Sequence, residues 1–302
     1  VFSFSNKDSL KQILKDDVDT VLFDCDGVIY RHMDQCPGAA DCIRSLINSE
    51  KQVLFVSNNG AAGRHQLQDK LVKLLKLNIG VEQCVSSAYA TAEYLKQELP
   101  NGGHVHMIGT DGLLKEIEDH GFSVFRLEDA PSQMTHKEVQ SFEFPQEQFD
   151  AVVVGHDTDF NFRKMTTATN ILANNPDALF VATDVDSHDV IGDNNNHIPG
   201  NGPLVKCLES SCQREATCCG KPCKTLAELI QKEYGLEMTR CLFVGDRLNS
   251  DIRFANENGM KSLLVMTGVT SAETLISFKE GTKENPLPHY IAPYIGFLTL
   301  QD

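Results

Sequence analysis

The sequence predicts an α/β protein: a doubly wound parallel sheet interrupted by a second, inserted α/β unit. Three observations predict it. Short, continuous apolar runs alternate with segments of helical spacing, the pattern of strands covered by helices on both faces. The alternation occurs in three blocks, and the middle one is framed by turn-rich junctions. Finally, the chain has 302 residues, at or beyond the roughly 250–300 that one core ordinarily holds. Its composition is globular, 41% hydrophobic and 23% charged, which rules out a disordered or collagen-like chain.

The elements follow in order. Val21-Leu22-Phe23 is a buried strand ending in a polar turn, and Ala39 to Ile47 has helical spacing. Val53-Leu54-Phe55-Val56 is a second strand, followed by an amphipathic helix over Gln66 to Leu77. The middle block opens with a strand at Val105-His106-Met107-Ile108-Gly109, a helix to His120, and a strand at Ser123-Val124-Phe125. It continues with a strand at Ala151-Val152-Val153-Val154-Gly155, a helix from Lys164 to Asn174, and a strand from Leu179 to Thr183. The last block has a strand at Cys241-Leu242-Phe243-Val244, a helix through Ile252 to Asn258, and a strand at Ser262-Leu263-Leu264-Val265. So many strands would overfill a single sheet. Pro100-Asn101-Gly102-Gly103 and Pro199-Gly200-Asn201-Gly202-Pro203 therefore mark an insertion: core over 1–100, inserted domain over 101–209, core again over 210–302. No fixed-period repeat is evident, and Asn194-Asn195-Asn196 is too short to count as low complexity.

Lys and Arg number 27 against 42 Asp and Glu, a formal net charge of −15. That balance excludes a general nucleic-acid or anionic-membrane binder, which needs a basic excess. It leaves room for a small phosphorylated substrate, which needs only local compensation. No apolar run approaches the roughly 20 residues that span a bilayer. The segment Val1 to Asp8 lacks the basic and apolar regions of a secretory signal, and whether the start is processed stays open. There are ten cysteines, but a chain with core-sized apolar segments needs no staples. Cys25, Cys84 and Cys241 lie in or beside strand-like runs and read as small buried hydrophobes. Cys212, Cys218, Cys219 and Cys223 raise the question of zinc, but no second CxxC pair or histidine partners accompany them. A reducing, cytoplasmic compartment is expected.

Four clusters carry chemistry. Asp24-Cys25-Asp26-Gly27 follows the first strand, which puts two carboxylates at the carboxyl edge of the sheet, where open α/β folds bind ligands. Two such acids supply a nucleophile and a proton shuttle; alone, they also read as a solvated turn. Ser57-Asn58-Asn59-Gly60 follows the second strand and offers small donors to a phosphate oxygen, or an ordinary turn. Lys221, held between Gly220 and Pro222, can aim an ammonium at an anion, although Gly-Lys-Pro is common in exposed turns; no Walker pattern surrounds it. Gly245-Asp246-Arg247-Leu248-Asn249-Ser250-Asp251 again ends a strand and offers oxygen ligands to a hard cation, while Asp251 also reads as a helix cap.

Taken together, in the order acid pair, serine, lysine, acid pair, the clusters resemble the haloacid-dehalogenase-like superfamily of aspartate-nucleophile phosphotransferases. Val56-Ser57-Asn58-Asn59, Ile198-Pro199-Gly200 with Gly202, Gly220-Lys221-Pro222 and Gly245-Asp246-Arg247 are similar to its phosphoglycolate and pyridoxal-phosphate phosphatase branch. The resemblance covers almost the whole chain and implies a Rossmann-like core with an inserted α/β cap. It also implies Asp24 as nucleophile, Asp26 as acid and base, Ser57, Asn58, Asn59 and Lys221 on the substrate, and Mg²⁺ held by Asp24, Asp26 (through its carbonyl), Asp246 and Asp251. Without that charge cancellation a carboxylate would be repelled by a phosphate dianion. A homodimer through the cap is implied by the resemblance alone.

The sequence departs from the branch in places. Asn249 stands where relatives often carry an acid, and His156 in Gly155-His156-Asp157-Thr158-Asp159-Phe160 where an apolar residue is usual. The cap loop Asp184 to Asn196, with Ser187-His188-Asp189, is the expected specificity element and matches neither named substrate; a lone histidine such as His188 reads more readily as a surface residue than as a ligand. The expected substrate is 2-phosphoglycolate or a similar small ester, with p-nitrophenyl phosphate as an artificial one. The alternatives are pyridoxal 5'-phosphate or a phosphoprotein, or, in another class, a phospho-acceptor signalling or interaction module without turnover.

Overall fold

The computed structural model describes residues 4–127, 134–145, 147–191, 196–277, 281–283 and 286–300. Residues 192–195 of the cap loop lie outside the described residues. The chain divides into two compact units, one of residues 1–57, 64–85 and 221–302, the other of 58–63 and 86–220. The turn-rich stretches at Pro100–Gly103 and Pro199–Pro203 therefore both fall inside the second unit. Gly200 stands at the start of helix Asn201–Cys212, and Pro203 occupies its first turn, where a missing N–H loses no helical hydrogen bond. A stretch that reads as a junction is a helix start.

The first unit is built on a six-stranded sheet in the order Tyr290–Ala292, Lys261–Val265, Cys241–Gly245, Thr20–Phe23, Gln52–Ser57, Cys84–Ser86. Counted along the chain, that is the 3-2-1-4-5-6 order of a doubly wound sheet. Thr20–Phe23 pairs in parallel on both sides, Val21 opposite Leu242 and Val53. Its four residues are all buried, as expected of a strand with helices on both faces. Val21 and Phe23 join Val53 and Phe55 in one core cluster. Against that face pack Leu10 and Leu14 from helix Lys7–Asp16, Cys42, Ile43 and Leu46 from Ala39–Asn48, and Leu67, Leu71 and Leu75 from Arg64–Leu75. The i, i+4 spacing of the last three puts them on one helical stripe. The order reverses between Thr20–Phe23 and Cys241–Gly245, and that switch point is where such sheets bind ligands.

The second unit has a five-stranded sheet, in the order Thr217–Cys218, Leu179–Ala182, Ala151–Val154, His104–Ile108, Ser123–Arg126, with parallel neighbours throughout. Helices Ser87–Glu98, Asp111–Asp119, Phe162–Asn174 and Asn201–Cys212 belong to it. Its core gathers Ile108, Val152, Val154, Phe180 and Ala182 from the strands with Ala168, Leu172, Val205 and Leu208 from the helices. The expected specificity loop contains an antiparallel hairpin, His188–Ile191 against Asn196–Pro199. No helix among the described residues is long and apolar enough to cross a membrane.

Candidate active site

Asp24 is the first residue beyond the central strand, and its backbone N–H still donates to the Val244 carbonyl. That last hydrogen bond aims its side chain into the interior at the switch point, where it is buried. Two residues on, strand alternation would return Asp26 to the same face, but the chain has already left the strand and Asp26 is exposed. Between and after them the chain folds back sharply: Ile29 N–H donates to Cys25 O, and Gly27 N–H to Tyr30 O. Gly27 has φ +83, and a Cβ there would lie 2.5 Å from Asp246 Oδ2. Only glycine fits that turn and that approach.

Lys221 comes from the other half of the sequence and is 1% exposed. Its ammonium donates to Asp24 Oδ1 at 2.6 Å and to the Val56 carbonyl at 3.1 Å, and pairs with Asp251 Oδ1 at 2.8 Å. It also stands 5.3 Å from the centre of the Phe243 ring. Val56 precedes Ser57, so one lysine joins three of the sequence clusters in a single unit. Asp251 lies on a π-helical turn, Leu248–Ile252, directly ahead of the helix Arg253–Glu257. Its Oδ2 accepts from the Asp246 and Arg247 N–H groups, both at 3.0 Å. It does tie down the start of a helical segment, as a cap would, and it also reaches the lysine.

Asp246 is 1% exposed. Its Oδ2 accepts from Val269 N–H at 2.6 Å and lies where a Cβ on Gly268 would sit 1.8 Å away. Its Oδ1 is buried with no hydrogen-bond partner. Oxygens of Asp24, Asp246 and Asp251 all lie within 4.8 Å of one another, and among the described residues they are the group of three able to hold a metal ion. Asp26 is not in that group by its side chain. Burial pushes Asp24 up to about 7, against the pull of Lys221, with Asp251 and Asp26 adding to the rise. Burial, with Asp251 and Asp24 adding to the rise, pushes Asp246 well up. For Lys221, burial favours the neutral amine, but Asp24 and Asp251 outweigh it and hold the ammonium above its ordinary range. Three buried carboxylates against one buried ammonium leave negative charge uncancelled, an arrangement expensive to hold without a further cation.

The remaining expected residues divide between the units. Ser57 is buried at the end of its strand in the first unit. Asn58 and Asn59 belong to the second unit, where Asn59 Oδ1 accepts from Ala61 N–H at 3.0 Å and Asn58 Nδ2 donates to Asp186 at 3.2 Å. Asn249 is exposed. His188 is half-buried, stacked on His197 with ring centres 4.3 Å apart and 2.9 Å from Ser187 Oγ. Cys25, Cys84 and Cys241 are buried, as expected of small apolar residues. The sequence reading passed over one segment, Thr267–Thr270. Thr267 Oγ1 donates to the Gly27 carbonyl at 2.6 Å, and Val269 holds Asp246. A glycine just past an apolar strand, the same cue used for the other clusters, would have found it.

The switch-point site of buried acids and one lysine on a doubly wound sheet defines an enzyme that handles anionic groups. Comparison with known proteins gives the class. The family described as haloacid dehalogenase-like hydrolase matches residues 21–123, and a second described as HAD-like hydrolase matches residues 218–296. Phosphoglycolate phosphatase 2 from Arabidopsis thaliana is 36% identical over 275 residues, 90% of each chain. Chronophin from Mus musculus is 33% identical over 282 residues, 92% of this chain and 91% of its own. Among solved structures, p-nitrophenyl phosphatase from Archaeoglobus fulgidus superposes with a TM-score of 0.79 at 26% identity, over 94% of this chain and 98% of the other. A glycerol phosphate phosphatase from Mycobacterium tuberculosis in complex with magnesium gives 0.75 at 26%, over 95% and 78%. The chain belongs to the haloacid dehalogenase-like hydrolases, and it is a phosphatase with a Rossmann-like core and a cap.

Proposed function

We propose that the protein hydrolyses the phosphomonoester of a small metabolite in two displacements, with Asp24 as nucleophile. The observation that carries this reading is the convergence of Asp24, Asp246 and Asp251 on one another at the switch point, with Asp24 and Asp251 paired to one buried lysine. In the first displacement an Asp24 oxygen bonds to phosphorus while the ester P–O bond breaks, and Asp26 gives its proton to the departing alkoxide. In the second, Asp26 takes a proton from water as the water oxygen attacks phosphorus, releasing inorganic phosphate and restoring Asp24. Two steps replace one direct attack by water on a phosphate, which is harder. The exposure of Asp26 suits a group that must meet both leaving group and water. Ser57 and Lys221 hold the phosphoryl oxygens, with Lys221 supplying charge where the transition state develops it, and Asn58 and Asn59 add amide donors.

Magnesium fits the acids present. The partnerless Asp246 Oδ1, the excess of buried carboxylate and an all-oxygen donor set suit a hard divalent cation. Asp24, Asp246 and the Asp26 carbonyl would hold it, with Asp251 orienting the loop behind them. When bound, it cancels the charge that would keep a phosphate dianion from Asp24. The relatives' names support a small ester, with 2-phosphoglycolate first, glycerol phosphate close behind, and pyridoxal 5'-phosphate or a phosphoprotein as alternatives. The expectation of a reducing, cytoplasmic setting rests on the sequence, and pairing of two copies through the cap rests on the resemblance.

The test is phosphate release, with and without Mg²⁺, from p-nitrophenyl phosphate, phosphoglycolate, glycerol phosphate, pyridoxal phosphate and a phosphotyrosine peptide. A kcat/KM that is highest for phosphoglycolate and abolished by chelation supports the reading. Equal values across the panel defeat a dedicated metabolite phosphatase, and full activity in chelator defeats the metal.

A further inference from the structure

The segment Asn58–Gly63 is packed entirely into the second unit, although Ser57, its covalent neighbour, ends a strand of the first. Several contacts fasten it there. Ser87 Oγ donates to the Asn58 carbonyl at 2.9 Å, and Thr110 Oγ1 to the Ala61 carbonyl at 2.8 Å. A Cβ on Gly60 would lie 2.6 Å from Thr183 Oγ1. The Asn58 carboxamide donates from Nδ2 to Asp186 Oδ2 at 3.2 Å, and its Oδ1 lies 2.9 Å from where a Cβ on Gly220 would stand. Because a carboxylate only accepts, the contact with Asp186 fixes which way round the amide sits.

Asp186 is itself clamped. Its N–H donates to Asp184 Oδ1 at 3.1 Å, and its carbonyl accepts from Gly202 N–H at 2.8 Å. Gly200 and Gly202 approach so closely that a Cβ on either would fall 2.3 Å from the Asp186 carbonyl oxygen or 2.5 Å from that of Val185. Between these glycines, the buried Asn201 donates to the carbonyls of Val154 and Asp184 and to Thr183 Oγ1. The Pro199-Gly200-Asn201-Gly202 stretch is thus the brace that fixes residues 183–186. Neighbouring Asp184 Oδ2 accepts from Thr183 Oγ1 at 2.9 Å, and burial pushes this carboxyl up to about 8, with Asp186 and Asp189 adding to the rise.

We infer that Asp186 is a positioning residue for substrate phosphate: by holding the Asn58 carboxamide it sets the backbone that follows Ser57. The inference rests on the reading of Ser57, Asn58 and Asn59 as phosphoryl-binding residues. It assigns a function to the braced loop of the second unit that neither catalysis nor leaving-group recognition requires. Loss of a charge-assisted hydrogen bond that positions a binding group is worth about a tenfold change in affinity.

The experiment compares wild type with Asp186→Ala, Asp186→Asn, Asn58→Ala and the Asp186→Ala/Asn58→Ala double variant, reading kcat, KM, competitive inhibition by inorganic phosphate, and melting temperature. Asp186→Ala is expected to raise both KM and the phosphate inhibition constant about tenfold, with kcat changed less. Asp186→Asn keeps an acceptor for Nδ2 and is expected to restore most of the loss. Asn58→Ala should match Asp186→Ala, and the double variant should be no worse than either single one, the mark of two residues acting as one unit. If Asn58→Ala changes neither KM nor phosphate inhibition, the phosphoryl-binding reading of this segment fails. If Asn58→Ala weakens phosphate while Asp186→Ala does not, or the two effects simply add, the positioning inference alone fails. A fall in melting temperature for Asp186→Ala with KM unchanged, unrelieved by Asn, assigns Asp186 to cap folding and overturns it too.

Discussion

Both units bury ionisable side chains, but they do so in opposite arrangements. In the first unit Asp24, Asp246 and Asp251 converge on one another, and Asp24 and Asp251 pair with Lys221, all at most 8% exposed. In the second, His106 is wholly buried against the rings of Phe125 and Phe149, 5.6 and 5.7 Å away, and Asp184 faces Asp186 and Asp189 and makes no ion pair with a cation among the described residues. Burial drives His106 down to about 4 and Asp184 up to about 8, so both shed their charge at neutral pH. A group buried without a cation beside it can become neutral with little loss of structure. Acids buried face to face around an ammonium keep a standing demand for positive charge. Convergence, not burial, separates a site for a charged ligand from an internal polar residue.

The largest effects should come from unbalancing the converging set. Asp24→Asn removes the proposed nucleophile, and Lys221→Met removes the cation, so each is expected to lower kcat by about 10⁴-fold or more. Their stabilities should diverge in metal-free buffer. Asn takes one acid out of a mutually repelling group and leaves Lys221 its pair with Asp251, so the melting temperature should hold or rise. Met leaves three buried carboxylates unpaired and should lose about 3–5 kcal/mol. Chemical denaturation of both variants decides it, and equal destabilisation would break the contrast between the units.

A smaller effect tests the space around Asp246. A Cβ on Gly268 would meet Asp246 Oδ2 at 1.8 Å, so Gly268→Ala must displace that carboxylate. Misplacement of about 1 Å in such a site lowers turnover roughly 10²-fold, and half-activation should need more Mg²⁺. Gly259→Ala is the control, since nothing lies within 4 Å of its Cβ position although its φ is +76. It should be slightly less stable and fully active. Matching losses in both would mean that backbone strain, not the Asp246 cradle, is being measured.

How far this was legible in the sequence follows from the same contrast. Asp24, Ser57 and Asp246 each sit one or two steps beyond an apolar strand run, and a strand's end is where a doubly wound sheet presents ligands, so pattern alone located them. Lys221 is different: only the shared order of the four clusters joined it to Asp24, because nothing local brings together residues 197 positions apart. Helix Ser87–Glu98 left no periodic signal, since Ser87 through Ala92 are all buried and a helix buried all round has no polar face to alternate with. The hairpin in the cap loop, and Pro199–Pro203 as a helix start instead of a junction, escaped for a related reason. Glycine and proline mark a change in chain direction, but not whether a domain ends there. The brace on Asp186 consists of backbone approaches to glycines, which no residue type announces.

The remaining effects concern the second unit alone and are read as pH slopes. His106 has its folded-state value depressed from 6.5 to about 4, so below 6.5 the unfolded chain binds a proton that the folded one refuses. Wild type therefore has this contribution in full above pH 6.5 and loses it as pH falls toward 4, by at most about 1.4 kcal/mol per unit. Asp184 runs the other way. Its value is raised from 3.8 to about 8, so its contribution is complete below 3.8 and disappears as pH rises through 8. His106→Phe keeps an aromatic ring between Phe125 and Phe149 and should flatten the acid-side decline. Asp184→Asn keeps an acceptor for Asp186 N–H and should exceed wild type at pH 8, with the difference shrinking toward pH 4. Denaturation curves at pH 4, 6 and 8 measure both. Stability profiles parallel to wild type in both variants would mean that these groups are not neutralised by burial, and the distinction between isolated and converging charge would fall with them.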